Sequence, residues 1–275
     1  MRLPWIMAFL TLAVACGPQH DESVSETKWL TGAGPARGHE DITRLAVDEA
    51  NDALQGLIGQ RPYPKIAKGV AGADTGNMMV LGNYESDFDT PRMRDFHQVG
   101  KVDWHNEGRI QHIHSLRDFV DQVPLDLRPS CEAIRSNIIQ AARLGIERYQ
   151  AGDVETGRYW LGHATHVIQD SFSVAHAKRD KADPRHILDI CVYGFKYGNV
   201  CEHASVDLDD RVWRSTFSCE WNPNKRDKGC LKDEAQNAVN ATAAFLVNAG
   251  EAIFAGKPLD ESLQGYFACD TAGPR

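Results

Sequence analysis

Hydrophobic residues recur at spacings of three and four along four stretches of this 275-residue chain. The stretches cover residues 42–58, 132–149, 155–172 and 234–254. This spacing places apolar side chains on one face of an α-helix, and β-branched runs with alternating polarity are scarce. The pattern therefore predicts an all-α fold. No segment after Trp29 is rich enough in Pro, Gly or Ser to mark a boundary, so we expect a single multi-helix domain over residues 29–275.

Two long stretches, residues 74–114 and 178–230, lack this pattern and are polar, with Gly or Cys residues. We expect both to be irregular connections between helices. Connections of that length in a compact domain usually carry function or are held by disulfides. Both are therefore candidates for functional side chains and for disulfide bonds.

The N terminus has the pattern of a targeting segment. Arg2 precedes an apolar stretch over residues 3–14, which is too short to span a bilayer and ends in small residues. Residues 1–15 are therefore predicted to be a signal peptide. Cys16 resembles the lipidated cysteine of a bacterial lipobox, and the polar residues 16–28 suit a tether. We expect an exported outer-membrane lipoprotein, periplasmic or at the cell surface, with free secretion as the alternative.

The cysteine count agrees with export. Seven Cys are present, and six remain when Cys16 is set aside. An oxidising compartment would join these six as disulfides, and absence of any C-x-x-C spacing argues against thiolate zinc ligation. Short loops favour the following pairs, which would brace the long connections: Cys191–Cys201, Cys219–Cys230 and, by remainder, Cys131–Cys269.

The segment WLGHATHVIQDSFSVAHA carries the most specific chemistry. It places His166 and Asp170 four residues apart, on one face of a predicted helix, with His176 shortly after. His203 and Asp207 repeat the same spacing downstream. Imidazoles combined with carboxylates suit a hydrolytic zinc cluster better than a structural Cys-rich site.

Further candidate ligands lie upstream of that segment. His39 stands at the start of the first predicted helix. The long connection after it holds several His and Asp residues: His97, His105, His112 and His114, with Asp74, Asp87, Asp89 and Asp95. We interpret His20, His163 and His186 as incidental. The fold is thus predicted to surround a zinc cluster.

In the order of these residues the chain resembles zinc-dependent phospholipase C and the related single-strand-specific nucleases and 3′-nucleotidases. The family core has an N-terminal His, an Asp and a His in a central loop, then H-x-x-x-D-x(5)-H, then H-x-x-x-E or H-x-x-x-D. The order matches over roughly residues 29–215, most specifically at LGxxxHxxxDxxxxxH. The matching residues are His39, a loop Asp, His114, His166, Asp170, His176, His203 and Asp207.

The resemblance implies two or three zinc ions. One position would take the loop Asp with His114, His166 and Asp170; a second would take His176, His203 and Asp207; a third would take His39 and Asp170. Family members complete the third with the amino group of a mature N-terminal Trp. Trp29 could supply it, and the alternative is that Trp29 packs in the core or on the site wall.

The resemblance also implies two catalytic carboxylates. Asp170 is expected to lie between two metal ions, and the loop Asp to orient the attacking water. We choose Asp87 for the loop Asp because it is closer in sequence to His114. Asp74 is the alternative, since its small-residue context resembles the nuclease branch.

Charge bears on the substrate. The net charge is −8 and no Lys/Arg run stands out, which argues against a nucleic-acid binder. We therefore expect a monomeric, zinc-dependent phosphodiester hydrolase that is phospholipase C-like. Lipidated Cys16 would anchor it to a membrane, and phospholipid there would be its substrate. One alternative is a single-strand nuclease or 3′-nucleotidase, with a base slot from Trp104, Trp213, Phe217 and Trp221. Another is a non-catalytic, metal-stabilised surface lipoprotein.

Overall fold

The computed structural model describes residues 38–68, 76–102, 107–119, 126–192, 228–263 and 266–269. Within these ranges the chain is mostly helical, which confirms the predicted helical class. The helices are α1 (Gly38–Ile58), α2 (Met78–Glu85), α3 (Pro91–His97), α4 (Leu127–Gln150), α5 (Val154–Asp170) and α6 (Asp233–Ala255). The four helices predicted from periodicity correspond to α1, α4, α5 and α6.

Helix α5 occupies the centre of the fold and packs against α1, α2, α4 and α6. Every residue from Tyr159 to Asp170 is buried. A helix that is buried all round must satisfy its polar side chains with groups from its neighbours, since a buried polar group without a partner is costly. The polar residues of α5 therefore determine where the candidate site forms.

Helix α2 crosses α5 with the two backbones in contact. A Cβ atom on Gly162 would lie 2.0 Å from the carbonyl oxygen of Met79, and one on Gly82 would lie 1.9 Å from that of Tyr159. No side chain larger than hydrogen fits at either position. The crossing brings the residues at the end of α2 directly against the polar face of α5.

The prediction of an irregular connection over residues 74–114 is wrong in part. It contains α2, α3 and a 3-10 helix, Gln111–His114. Asn77 caps α2 by accepting from two backbone N–H groups, and Thr90 caps α3 through its side chain. The elements span only eight, seven and four residues, too short for a helical hydrophobic repeat to be recognised.

The prediction of an irregular connection over residues 178–230 is also wrong in part, because two strands of a small three-stranded sheet lie in it or begin just before it. The strands of the sheet are β1 (Ala177–Arg179), β2 (His186–Ile190) and β3 (Ala268–Cys269), in that spatial order. Strands β1 and β2 are antiparallel with Ala177 opposite Ile190, and β2 and β3 are parallel with His186 opposite Ala268. The strands are too short to show alternating polarity in the sequence.

Arg179 holds this sheet against the end of α5. Its guanidinium carbon lies 3.6 Å from the ring centre of Phe172, and it donates to the carbonyl oxygens of Ser171 and Pro184 at 2.6 Å each. The burial of Arg179 lowers its pKa to about 9. These contacts fix the turn between α5 and β1, which carries His176.

Helix α6 is long and apolar enough to cross a membrane by length and composition alone. It packs against α1 and α5, and Tyr63 donates to the carbonyl oxygen of Leu246 at 2.6 Å. A buried core helix has the same composition, so the packing accounts for its apolar character.

Three cysteines, Cys131, Cys191 and Cys230, are each disulfide-bonded. Cys201, Cys219 and the side chain of Cys269 lie outside the described residues. The predicted pairing therefore stays a prediction, and the described ranges do not support the predicted bracing of the long connections. The signal peptide, the tether with Cys16, and Trp29 also lie outside those ranges.

Candidate metal centre

Six of the predicted ligands converge on one buried region from five parts of the chain. The structure brings together His39 of α1, Asp87 just after α2, His114 of the 3-10 helix, His166 and Asp170 of α5, and His176 before β1. We call these six residues the metal-ligand cluster. The remaining predicted ligands, His203 and Asp207, lie outside the described residues, as does Asp74.

Asp170 lies at the centre of the metal-ligand cluster. Its Oδ1 lies 3.2 Å from Nε2 of His39, and its Oδ2 lies 3.1 Å from Nε2 of His166. Oδ2 also lies 3.6 Å from Nδ1 of His114 and 3.9 Å from Nδ1 of His176. The two oxygens thus face different imidazoles, as a carboxylate that bridges two cations would require.

Asp87 lies on the other side of His166. Its Oδ1 is 3.4 Å from Nε2 of His166 and 3.6 Å from Nδ1 of His114. Two trios of ligand atoms therefore lie within 4.8 Å of one another: His39, His166 and Asp170, and Asp87, His114 and His166. His166 belongs to both trios, whereas the family resemblance groups it with only one ion.

A buried amide network orients His39. Its Nδ1 lies 2.8 Å from Oε1 of Gln169, an obligate acceptor, so Nδ1 carries the proton. Gln169 is itself fixed because its Nε2 donates to Oγ1 of Thr43 at 2.9 Å and its Oε1 accepts from Asn83 at 3.2 Å. The lone pair of Nε2 in His39 therefore points towards Asp170, the orientation that a metal ligand needs.

A backbone carbonyl orients His176, and a side-chain bond docks the short helix that carries His114. Ser115 donates from its hydroxyl to the carbonyl oxygen of Val167 at 2.6 Å, which docks the 3-10 helix on α5. Nδ1 of His176 donates to the carbonyl oxygen of His114 at 2.5 Å. That bond leaves Nε2 as the nitrogen of His176 that can bind a metal.

The charges of the metal-ligand cluster are strongly coupled. Burial lowers the pKa of His166, but the carboxylates of Asp170 and Asp87 outweigh it and raise that pKa to about 10. Burial likewise raises the pKa of Asp170, but His166 and His176 hold it well below its usual value. Buried carboxylates therefore stay ionised here and require a cation beside them.

The donors fit zinc. Nδ1 of His166 is buried and makes no hydrogen bond with the part of the chain that the structure describes, while its Nε2 and Oδ2 of Asp170 are buried and face each other at 3.1 Å. Buried polar atoms of this kind are rare and call for an ion or a proton. Nitrogen and carboxylate donors in such a set are those of hydrolytic zinc sites.

Sequence reasoning missed the residues that support the ligands. Gln169 was detectable as a polar residue on the buried face of a helix, whereas Asn83 and Thr43 carried no signal. His163, interpreted as incidental to the metal site, is fully buried, and its Nδ1 lies 2.7 Å from Oγ of Ser86.

Comparison of the chain with protein-family models, with curated protein sequences and with solved structures gives no match.

Proposed function

We propose that this protein is an exported zinc-dependent phosphodiester hydrolase of the phospholipase C type. The observation that carries the proposal is the position of Asp170, whose Oδ1 faces His39 and whose Oδ2 faces His166 and His114, all within 3.6 Å. Such a carboxylate suits a site for two neighbouring cations. Paired cations are typical of enzymes that hydrolyse phosphodiesters.

The residues of the two trios would hold zinc, with His166 binding through the single lone pair of its Nε2, the atom that faces both Asp170 and Asp87. Zinc bound there would supply Lewis-acid stabilisation of phosphoryl oxygens and a lowered pKa of water, to about 7. The residues themselves keep the donors in place: Gln169 holds the ring of His39, and the carbonyl of His114 holds that of His176. This preorganisation is what second-layer contacts provide in metal sites.

Asp87 is suited to orient the attacking water. Burial would raise its pKa, but His166, His114 and His39 hold that pKa well below its usual value, so the carboxylate is ionised at neutral pH. A carboxylate with so low a pKa is a poor proton acceptor and a good hydrogen-bond acceptor. Its role is therefore to align the nucleophile.

Two exposed apolar side chains favour a lipid substrate. Phe88 directly follows Asp87 and is 38% exposed, and Val174 lies two residues before His176 and is 41% exposed. Both stand beside ligands along the chain, where apolar surface would contact acyl chains. The net charge of −8 agrees with this choice over nucleic acid. The aromatic residues predicted to form a base slot, Trp104, Trp213, Phe217 and Trp221, lie outside the described ranges.

The zinc-loaded protein should be assayed in parallel on phosphatidylcholine vesicles, single-stranded DNA and a 3′-nucleotide. We expect release of a phosphorylated headgroup from the vesicles. Replacing Phe88 by Ser should reduce turnover of vesicles more than turnover of a soluble short-chain phosphodiester, because only the former requires contact with a lipid surface. Asp87→Asn should abolish both activities.

The other outcomes of these assays would contradict different parts of the proposal. Cleavage of DNA or of the nucleotide, with vesicles intact, would replace the lipid substrate by a nucleotide one. Inactivity on all three substrates with zinc fully bound would contradict the enzymatic proposal and leave a metal-stabilised surface protein.

A further inference from the structure

Ser115 ends the 3-10 helix that carries His114, and its backbone is left-handed. Its φ is 53° and its ψ is 33°, a region that residues with a Cβ atom rarely adopt. Its N–H donates to the carbonyl oxygen of His112 at 3.2 Å, and the N–H of Leu116 donates to that of Gln111 at 3.1 Å. These two bonds form a Schellman motif, in which glycine is the usual left-handed residue. The chain therefore has serine where the backbone alone would favour glycine.

The hydroxyl of Ser115 makes a bond that glycine could not make. It is buried and donates to the carbonyl oxygen of Val167 at 2.6 Å. Val167 lies in the last turn of α5, between the ligands His166 and Asp170. The same carbonyl also accepts from the N–H of Ser171 at 3.3 Å, so it would have a partner without Ser115. The bond from Ser115 therefore serves to hold the 3-10 helix at a fixed place on α5.

The backbone around Ser115 is also bonded to both sides of His176. The carbonyl oxygen of His114 accepts from Nδ1 of His176 at 2.5 Å. The N–H of Arg117 donates to the carbonyl oxygen of Cys191 at 2.9 Å, and the N–H of Cys191 donates to that of His176 at 2.8 Å. A shift of the backbone at Ser115 would therefore displace the rings of two ligands.

The ring of His114 has little freedom to move if it is to bind a metal. Its Nδ1 lies 3.6 Å from Oδ1 of Asp87 and 3.6 Å from Oδ2 of Asp170, which belong to different parts of the fold. Metal ligands must be held within about 0.5 Å of their productive positions by packing and hydrogen bonds. The position of the 3-10 helix on α5 therefore controls whether this nitrogen can share an ion with the two carboxylates.

We propose that Ser115 is a positioning residue of the metal-ligand cluster, because its left-handed backbone and its bond to Val167 hold the ring of His114 in place. Strained backbone of this kind persists only where the surrounding structure fixes it, and it is concentrated at functional sites. Here the buried hydroxyl bond fixes it. This role rests on the metal binding of the proposed function, but not on its substrate.

The variant Ser115→Gly separates this role from a merely structural one. The change relieves the left-handed backbone and removes the hydroxyl, so the metal-free protein should melt close to the wild-type temperature. Its zinc affinity, measured by competition with a chromophoric chelator, should nevertheless fall about 10–100-fold, the loss typical of second-layer contacts. The visible absorption spectrum of bound Co²⁺, which reports the geometry of the ligands, should also change.

The matched control is Gln98→Gly. Gln98 ends α3 with a φ of 54° and an exposed side chain. It lies in the same motif, since its N–H donates to the carbonyl oxygen of Asp95 at 3.4 Å and the N–H of Val99 donates to that of Arg94 at 3.0 Å. Its replacement relieves the same backbone strain outside the metal-ligand cluster, so zinc affinity and the Co²⁺ spectrum should stay unchanged. A second variant, Ser115→Ala, keeps the Cβ atom without the hydroxyl, so it should lose zinc affinity and also melt at a lower temperature.

Wild-type zinc affinity with an unchanged Co²⁺ spectrum in Ser115→Gly would overturn the proposal and mean that Ser115 only ends the 3-10 helix. An equal loss of affinity in Gln98→Gly would overturn it as well, because glycine at a helix end would then be the cause. Inactivity of the zinc-loaded wild type on phosphodiesters would contradict the enzymatic function alone, since both measurements concern metal binding.

Discussion

His163 and His166 lie one helical turn apart on α5, and both are fully buried, yet their pKa values move in opposite directions. Burial lowers the pKa of His163 well below its usual value, and the neighbouring His97 lowers it further. The same burial acts on His166, but two carboxylates raise its pKa to about 10. Burial is therefore equal for the two histidines, and the nearest charged groups decide whether the pKa rises or falls.

The difference lies in the chemical surroundings of the two histidines. Around His166 the carboxylates come from Asp170 on the same helix and from Asp87 at the end of α2, so the metal-ligand cluster attracts cations. Around His163 the hydrogen-bond partner is the hydroxyl of Ser86, so burial lowers the pKa of this imidazole and it stays neutral. One helix thus presents two kinds of imidazole, and the following predictions test that distinction.

The largest effect is expected for Asp170→Asn. The change removes the charge shared by the imidazoles of the metal-ligand cluster. The proposed phosphodiesterase activity should fall roughly 1,000-fold, at the upper end of the about 10²–10³ lost with one preorganised charge-stabilising group. Zinc bound to the metal-ligand cluster should fall with it. Asp52→Asn, an exposed carboxylate on α1, is the control. Full zinc content in Asp170→Asn, by elemental analysis, would contradict the central role of Asp170.

The second-largest effect is expected on thermal stability when zinc is removed. The metal-ligand cluster joins α1, α5 and the 3-10 helix, so an ion that binds only the folded state stabilises it by about 4 kcal/mol at a thousandfold excess over Kd. We expect a chelator to lower Tm by roughly 10 °C. The same chelator should hardly change the Tm of the Asp170→Asn variant. An equal drop in Tm in both proteins would mean that the stabilising ion binds at another site. Differential scanning calorimetry gives both values.

A moderate effect is expected for Gln169→Leu. The variant leaves the donor Nδ1 of His39 without its acceptor, and loss of such a second-layer contact costs about 10–100-fold in metal affinity. Gln169→Glu keeps an acceptor for His39 and should retain more of the affinity. Competition with a chromophoric zinc chelator measures both. Equal affinity in the two variants would show that Gln169 only fills space.

The smallest effect concerns pH. Burial, with repulsion from His112 and His114, lowers the pKa of His97 to about 3. Between pH 6.5 and 3 the unfolded chain therefore binds more protons than the folded protein, so the free energy of unfolding falls as pH falls, by up to about 1.4 kcal/mol per pH unit. His166, with its raised pKa, acts with the opposite sign between pH 6.5 and 10.

His97→Gln should reduce that slope, measured by urea unfolding of metal-free protein at pH 6.5 and 5.5. His186→Gln should keep it. A slope in His97→Gln as steep as in wild type would mean that His97 is not held neutral in the fold.

The long helices and the order of ligands could be predicted from the sequence. A run such as that of α5 repeats its apolar residues over several turns, and the spacing of His166 and Asp170 places both on one helix face. Helices α2 and α3 could not be predicted in this way, because eight and seven residues give too few repeats of the apolar spacing. The choice of Asp87 followed from sequence distance alone, and the structure locates its carboxylate beside His166 and His114.

The sequence by itself determined which residues form long helices and which local pairs can share a ligand, because both depend on spacing along one helix. Only the tertiary structure decided which imidazoles meet which carboxylates. The contact of α2 with α5 at Gly82 and Gly162 brings Asp87 to His166 and Ser86 to His163. That contact joins residues far apart in the chain, and the pKa of each histidine depends on distances that no local pattern encodes.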